Sequence, residues 1–381
     1  MKKFSLAACV AALVGLLLVS CTTTNAPIAD KPVTATPVVA KPVAKAALTW
    51  SASTFYLVGT INPEATRWDN GATATNLMTK LSDAVYERTV SLEAGTWNYQ
   101  FADTTWTDKF VGTADLVPGG AAAGLKPVAM EGGNVVIATA GFYTFHFDLA
   151  NQSVVVVPAR YVVGAFGSAG GKGSWTTDAA SVATYAGNGV YEKTYTVDAA
   201  AAALAGGLSF QFTGNGFAAG TTFTGAADVP SDGTDAALVP AGMANKNITG
   251  LAAGNYTLRI DTKGNKVQVA KAYYLVGHIL SWEAGDWNTG TLPNLMVYDG
   301  GNNYSKVIKV IKGTSEKAPD FQFATSDWAT AWTGAKALAV GTEGKLAAAH
   351  MANESVAIAA TGSYLVTFNP VALTVKFTAL P

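Results

Sequence analysis

Apolar and β-branched residues gather along this chain in short runs broken by glycine, asparagine and proline, the rhythm of strands rather than of helices. One such run occurs three times, as Phe55-Tyr56-Leu57-Val58-Gly59, Tyr161-Val162-Val163-Gly164 and Tyr273-Tyr274-Leu275-Val276-Gly277. Each predicts a buried opening strand, stopped by a glycine where the backbone must turn. The stretch beyond each glycine repeats too. Tyr86, Tyr191 and Tyr304 come 27 residues after those glycines. The aromatic pairs Tyr99/Phe101, Phe210/Phe212 and Phe321/Phe323 come next, with Trp106, Phe217 and Trp328 five residues past each second aromatic. A closing strand around Tyr143, Tyr256 and Tyr364 ends the unit. The chain therefore reads as three copies of one module of roughly 105 to 113 residues, spanning 50–158, 159–271 and 272–381.

Within module one, the stretches 86–92, 97–101, 135–137, 142–147 and 154–157 alternate or run apolar. About seven such strands joined by tight turns predict an all-β fold, an antiparallel immunoglobulin-like β-sandwich in each module. Only module two offers a helix, an alanine run to Ala205 with Asp198 as N-cap and Gly206 as stop. The joins near Pro158 and Lys271 are short, which predicts a stiff row of modules.

Ahead of the modules, Lys2 and Lys3 precede an apolar run from Leu6 to Val19, too short for a comfortable membrane span and laid out like a secretory signal. It ends in Leu18-Val19-Ser20-Cys21, the lipobox of bacterial lipoproteins. Residues 1–20 are then the signal peptide, and Cys21 is the lipidated first residue of the mature chain, its acyl groups (palmitate among them) holding it to a membrane. Thr22 in place of Asp favours the outer membrane. Residues 21–49 carry Pro27, Pro32, Pro37 and Pro42 at five-residue spacing and read as an extended stalk. Cys9 leaves with the signal, so no disulfide is expected. Taking Lys2 and Lys3 from the 25 basic residues leaves 23 against 26 acidic, a balance that argues against nucleic acid as partner.

The chemistry of an enzyme is missing. His146, His278 and His350 have no partner at metal or triad spacing, so each reads as a strand or loop residue. Gly170-Gly171-Lys172-Gly173-Ser174 lacks the spacing of a phosphate loop and opens no helix. Asp228, Asp232 and Asp235 crowd one loop, a weak hint of calcium. No acidic residue recurs in all three modules to serve glycoside hydrolysis. No metal, cofactor or catalytic residue is expected.

Loop aromatics do recur. Arg67-Trp68-Asp69-Asn70 in module one and Trp282, Trp287 and Asn288 in module three lead to the same tripeptide, Asn76-Leu77-Met78 and Asn294-Leu295-Met296. A second set lies after the central strand: Trp106 with Phe110, Phe217 with Phe223, and Trp328 with Trp332. Indole rings beside Asn, Lys or Arg suit a sugar, the ring covering the apolar face of a pyranose while polar neighbours bond its hydroxyls. For Trp106, Phe110, Trp328 and Trp332, which sit near a glycine at constant spacing, and for Trp97 within a strand, core packing competes with that role. Module two has only Trp175 after its opener and is the copy expected to bind least.

Opener, Trp-Asn loop, Met, Tyr-initiated strand, Phe-Gln-Phe followed by Trp, and a closing Gly-x-Tyr strand together resemble the starch-binding modules of the SusE and SusF outer-membrane lipoproteins. A more distant resemblance is to the glycogen-binding modules that precede amylase and pullulanase domains. The resemblance covers nearly all of residues 54 to 379 and implies a non-catalytic, membrane-anchored carbohydrate-binding lipoprotein for an α-glucan such as starch, glycogen or maltooligosaccharide. Its partners would be an outer-membrane transporter or a secreted amylase. Carried across by position, it implies a site at Trp68 and Trp106 with Arg67 or Lys109, and another at Trp287 and Trp328 with Asn288. Trp175 and Trp332 complete the candidate set. The acidic surface-export signal of that family is replaced here by Thr22-Thr23-Thr24-Asn25, which leaves the membrane face open. The alternative is a structural or adhesive surface lipoprotein that keeps the sandwich without sugar affinity.

Overall fold

The computed structural model describes residues 48–380 apart from 72–74, 130, 167–168, 219, 242–244, 283, 315–317 and 350–352. The expected signal, Cys21, the stalk and His350 lie outside the described residues. None of the described helices is long and apolar enough to cross a membrane.

Strands dominate, as the alternation predicted, and they form sheets of nine, ten and ten strands, each confined to one copy of the repeat. In the first copy, the opener Tyr56–Val58 pairs antiparallel with Gly95–Ala102, which pairs in turn with Lys109–Gly112. The opposite layer is built from Val85–Leu92, Gly141–Asp148 and Ser153–Pro158. Ala123–Pro127 pairs both Lys109–Gly112 and Ser153–Pro158 and so closes one edge of the sandwich. The other copies repeat this order. Among the described residues pairing is antiparallel except where Val229–Pro230 meets Lys246–Thr249, where Leu338–Ala339 meets Glu354–Ala357, and at the matching isolated bridge of module one, Leu116 to Val135.

Each core is aromatic. Phe101 stacks on Phe147 at 4.3 Å, and the equivalent Phe323 stacks on Phe368 at 4.2 Å. Gly59, Gly164 and Gly277 hold φ of 124°, 121° and 125°. A methyl at any of them would lie 2.2 to 2.6 Å from the carbonyl oxygen of Asn98, Ser209 or Asp320. Only glycine lets the opener turn while touching the central strand's backbone. In module two, Asp198 caps a helix over Ala199–Ala202, accepting the Ala201 amide at 2.7 Å. That helix is only one turn long.

The modules do not form the expected row. Glu87 of module one accepts the Tyr185 amide of module two at 2.8 Å. Tyr298 of module three donates to the Gly233 carbonyl of module two at 2.9 Å. Lys309 of module three lies over the Trp50 ring at 4.3 Å, donates its ammonium to the Trp50 carbonyl at 2.7 Å, and meets Asp83 through its amide at 3.4 Å. Every module thus touches both others. They enclose a cavity of about 320 Å³ whose lining includes Leu81, His146, Tyr185, Glu192, Asp299 and Lys306. Short joins fold the chain back on itself because side chains at both far ends find partners.

Candidate functional site

Beyond each opener glycine the chain leaves the sandwich in a loop and then returns alongside the opener. Gly59 donates its amide to the Arg67 carbonyl at 2.5 Å, Gly164 to Ser174 at 2.7 Å, and Gly277 to Asp286 at 2.7 Å. The next residues are Trp68, Trp175 and Trp287. The three tryptophans therefore occupy one structural position, although they lie nine, eleven and ten residues past their glycines. Unequal loop lengths hid this equivalence from the sequence, and module two proves to carry the ring its sisters carry.

The loop is held from both sides. Asn76 donates to the Asp69 carbonyl at 2.9 Å and also to Thr66; Asn294 donates to the Asn288 carbonyl at 2.9 Å; Ser181 donates to the Thr176 carbonyl at 2.6 Å. In every copy a buried polar side chain grips the peptide just after the tryptophan, which explains the recurring Asn-Leu-Met. Two residues after each tryptophan, a second polar side chain reaches the neighbouring turn. Asn70 donates to the Asp103 carbonyl at 2.6 Å, Thr177 to the Asn215 side chain at 3.2 Å, and Thr289 to the Ser326 carbonyl at 2.9 Å. These bonds staple the tryptophan loop to the turn that bears Trp106, Phe217 or Trp328.

That turn is strained in all three copies. Trp106, Phe217 and Trp328 have φ of 57°, 57° and 58°, a left-handed conformation that bulky side chains avoid. Each costs about 1 to 2 kcal/mol, and threefold repetition of such a cost marks a shape that is used. Trp68, Trp175, Phe217 and Trp328 are exposed by 39 to 47%. Trp106 is half-buried against the cluster of Tyr56, Val58 and Ala102, and Trp287 and Leu295 pack likewise on the cluster of Ala272, Tyr274 and Val276. The outer face of the opener strand thus floors a shallow aromatic platform in modules one and three; in module two Val182 packs on that face, and the platform is Trp175 and Phe217 standing exposed. Among the described cavities, one of about 300 Å³ is lined in part by Tyr161, Thr177 and Val182 beside the Trp175 loop, and one of about 120 Å³ by Tyr274 and Leu295 beside module three's platform.

Other expected residues fall variously. Arg67 is half-buried and closes the opener turn through its carbonyl; Lys109 begins a strand opposite Ala102; Asn288 is exposed beside Trp287. Trp332 departs from the sugar-facing role. It turns inward and packs against Tyr273 at 5.5 Å and Phe368 at 5.7 Å, because its strand position alternates toward the core. Phe110 and Trp282 are likewise core. Asp228, Asp232 and Asp235 disperse to Asn247, Thr234 and Lys266, and no group of three or more His, Cys, Asp or Glu among the described residues could hold a metal.

Two histidines had partners that sequence spacing could not show, since each pair joins distant strands. His146 meets Glu87 at 2.7 Å; burial works against its charged form, but the carboxylate outweighs it and raises its pKa. His278 meets Asp320 at 2.7 Å. Burial works to raise the Asp320 carboxyl, yet the bonds from the His278 ring and amide prevail and hold it below its ordinary value.

The fold and platforms define a class: tandem β-sandwich modules, each presenting loop aromatics on one edge. No protein family and no curated protein matches the sequence. Among solved structures, SusF from Bacteroides thetaiotaomicron is 16% identical, over 85% of this chain and 72% of that one, at a TM-score of 0.25. A ligand-induced structure of AmyP-SBD is 20% identical, over 38% of this chain and 95% of that one, at 0.22. At those scores neither likeness tells what this chain binds.

Proposed function

We propose that the chain is a non-catalytic carbohydrate-binding protein whose three platforms take successive stretches of one α-glucan, such as starch or glycogen. The observation that carries this reading is the threefold recurrence of a tryptophan at one position, stapled to a strained aromatic turn. A scaffold needs neither the indole nor the strain. A ring covering about 60 Å² of pyranose contributes roughly 1.5 kcal/mol. One platform binds weakly, and three on one chain gain about 10²-fold or more by avidity toward a polymer. We further propose that Cys21 is lipidated and tethers the modules to the outer membrane, near a glucan transporter or a secreted amylase.

Affinity electrophoresis of the protein in gels with and without amylopectin tests the binding. Retardation is expected, and it should weaken stepwise as Trp68, Trp175 and Trp287 are replaced by Ala, with melting temperatures held within a few degrees. Unretarded migration of the unsubstituted protein would favour a structural or adhesive role instead. Radiolabelled palmitate incorporation that survives Cys21→Ser would refute the anchor.

A further inference from the structure

The three platforms differ at one corner. The residue after the opener glycine is Thr60, Ala165 or His278, and the residue whose carbonyl packs against that glycine is Asn98, Ser209 or Asp320. In module one, the Thr60 hydroxyl accepts the Asn98 amide at 2.7 Å and is occupied within the fold. In module two a methyl stands there, able neither to donate nor to accept. In module three both positions change together, to an imidazole and a carboxylate.

The carboxylate fixes the imidazole. One Asp320 oxygen accepts Nδ1 of His278 at 2.7 Å and its backbone amide at 3.2 Å; the other accepts from Asn353 at 3.3 Å. A carboxylate only accepts, so Nδ1 carries a proton, and the tautomer this selects has its lone pair on Nε2. The ring meets Trp287 edge-on, with centroids 5.8 Å apart and planes at 82°. Gly285, at φ +72°, lies between them: a methyl there would stand 2.5 Å from the indole Nε1 and 3.3 Å from the imidazole Nε2. An indole donor and an imidazole acceptor thus converge over a bare glycine, and the His278 side chain is 36% exposed. A pyranose offers the complement, adjacent hydroxyls of which one can donate and the other accept.

We propose that His278, oriented by Asp320, is the specificity-determining hydrogen-bond acceptor of module three, binding a hydroxyl of the glucose unit stacked on Trp287, and that it makes module three the tightest of the three sites. This rests on the platform reading above. In module one the side-chain acceptor at this corner, Thr60, already accepts the Asn98 amide, and module two has only the Ala165 methyl there.

Calorimetric titration of the full-length protein with maltoheptaose tests it. In a Trp68→Ala/Trp175→Ala background, which leaves module three alone, His278→Ala should lower affinity about tenfold. His278→Gln, which retains an acceptor, should lose less than His278→Ala. With Trp287→Ala added, His278→Ala should have no further effect. The proposal is overturned if His278→Ala binds like its parent, or if Trp175→Ala/Trp287→Ala, which leaves module one, binds more tightly than the module-three background. It is also overturned if His278→Ala weakens binding equally without Trp287, which would mark a structural effect. Failure of the unsubstituted protein to bind sinks the platform reading and this proposal together; normal binding with an indifferent His278 sinks this one alone.

Discussion

Replacing Glu192 by Gln should change how stability depends on pH more than it changes stability itself. Glu192 is buried where modules two and three meet, 2.6 Å from Arg259. Burial pushes its carboxyl up to about 7 from 4.5; Arg259 opposes the shift and Asp299 of module three adds to it. The folded state therefore binds a proton that the unfolded chain has released between those values, so folding stability falls as pH rises through that window. At about 1.4 kcal/mol per unit, the loss from this one group approaches about 3 kcal/mol. His146, raised overall, adds a loss in the same direction above its ordinary value of 6.5. Lys306 works oppositely. Burial lowers it to about 8 from 10.5, so the unfolded chain holds the extra proton there and stability climbs again above pH 8. Stability should pass through a minimum near pH 7 to 8. Urea denaturation followed by tryptophan fluorescence at half-unit steps measures it, and the interval from pH 5 to 6.5 isolates Glu192 from His146. Glu192→Gln should flatten that interval. A wild-type stability that rises across it, or an unchanged slope in the variant, refutes the reasoning.

The packing sets four further outcomes. Gly277→Ala should cost more than about 3 kcal/mol, because left-handed strain joins a clash with the Asp320 backbone, whereas Gly119→Ala, at φ 76° with nothing within 4 Å, should cost about 1 kcal/mol; equal losses in urea titration would contradict this. Trp332→Ala should destabilise by about 3 kcal/mol or more, while Trp328→Ala should leave the melting temperature within a few degrees and weaken amylopectin retention. Asn70→Ala should cost about 1 kcal/mol and speed amide exchange in the turn at residues 103–108 without exposing the core, as mass spectrometry of exchanged peptides would show. Lys309→Met should raise exchange in residues 48–54 selectively and enlarge the scattering radius of gyration; an unchanged radius would mean that the contact between modules one and three is not needed to hold them together.

Much of the fold was legible in the residues. Period-2 alternation and the three openers predicted the strands and the sandwich, because side chains on a pleated strand must alternate between core and solvent. Trp68, Trp106 and Trp328 read as loop residues, and the structure exposes Trp68 and Trp328 while half-burying Trp106 against the opener. Trp332 misled, since a tryptophan near a turn is as much at home under a sandwich cap as on its surface. The equivalence of Trp175 to Trp68 was hidden by loops that differ in length, and only the register of backbone hydrogen bonds restores it. The pairs His146–Glu87 and His278–Asp320 were invisible for another reason: 59 and 42 residues separate their members, and only sheet pairing brings them together. The closure of the modules on one another likewise depends on single side chains, which leave no period to read.

The grip of Lys309 on Trp50 bears on how the molecule answers a pull. Tension applied ahead of residue 50 reaches a tryptophan whose ring and carbonyl are both clasped by the third module, so the force divides between the first and last modules at once. That clasp is one hydrogen bond and one ring contact, against the backbone ladders that hold each strand, so under load it should part before a strand does. A load so applied should be met first by the parting of modules one and three and only afterwards by the unfolding of a module.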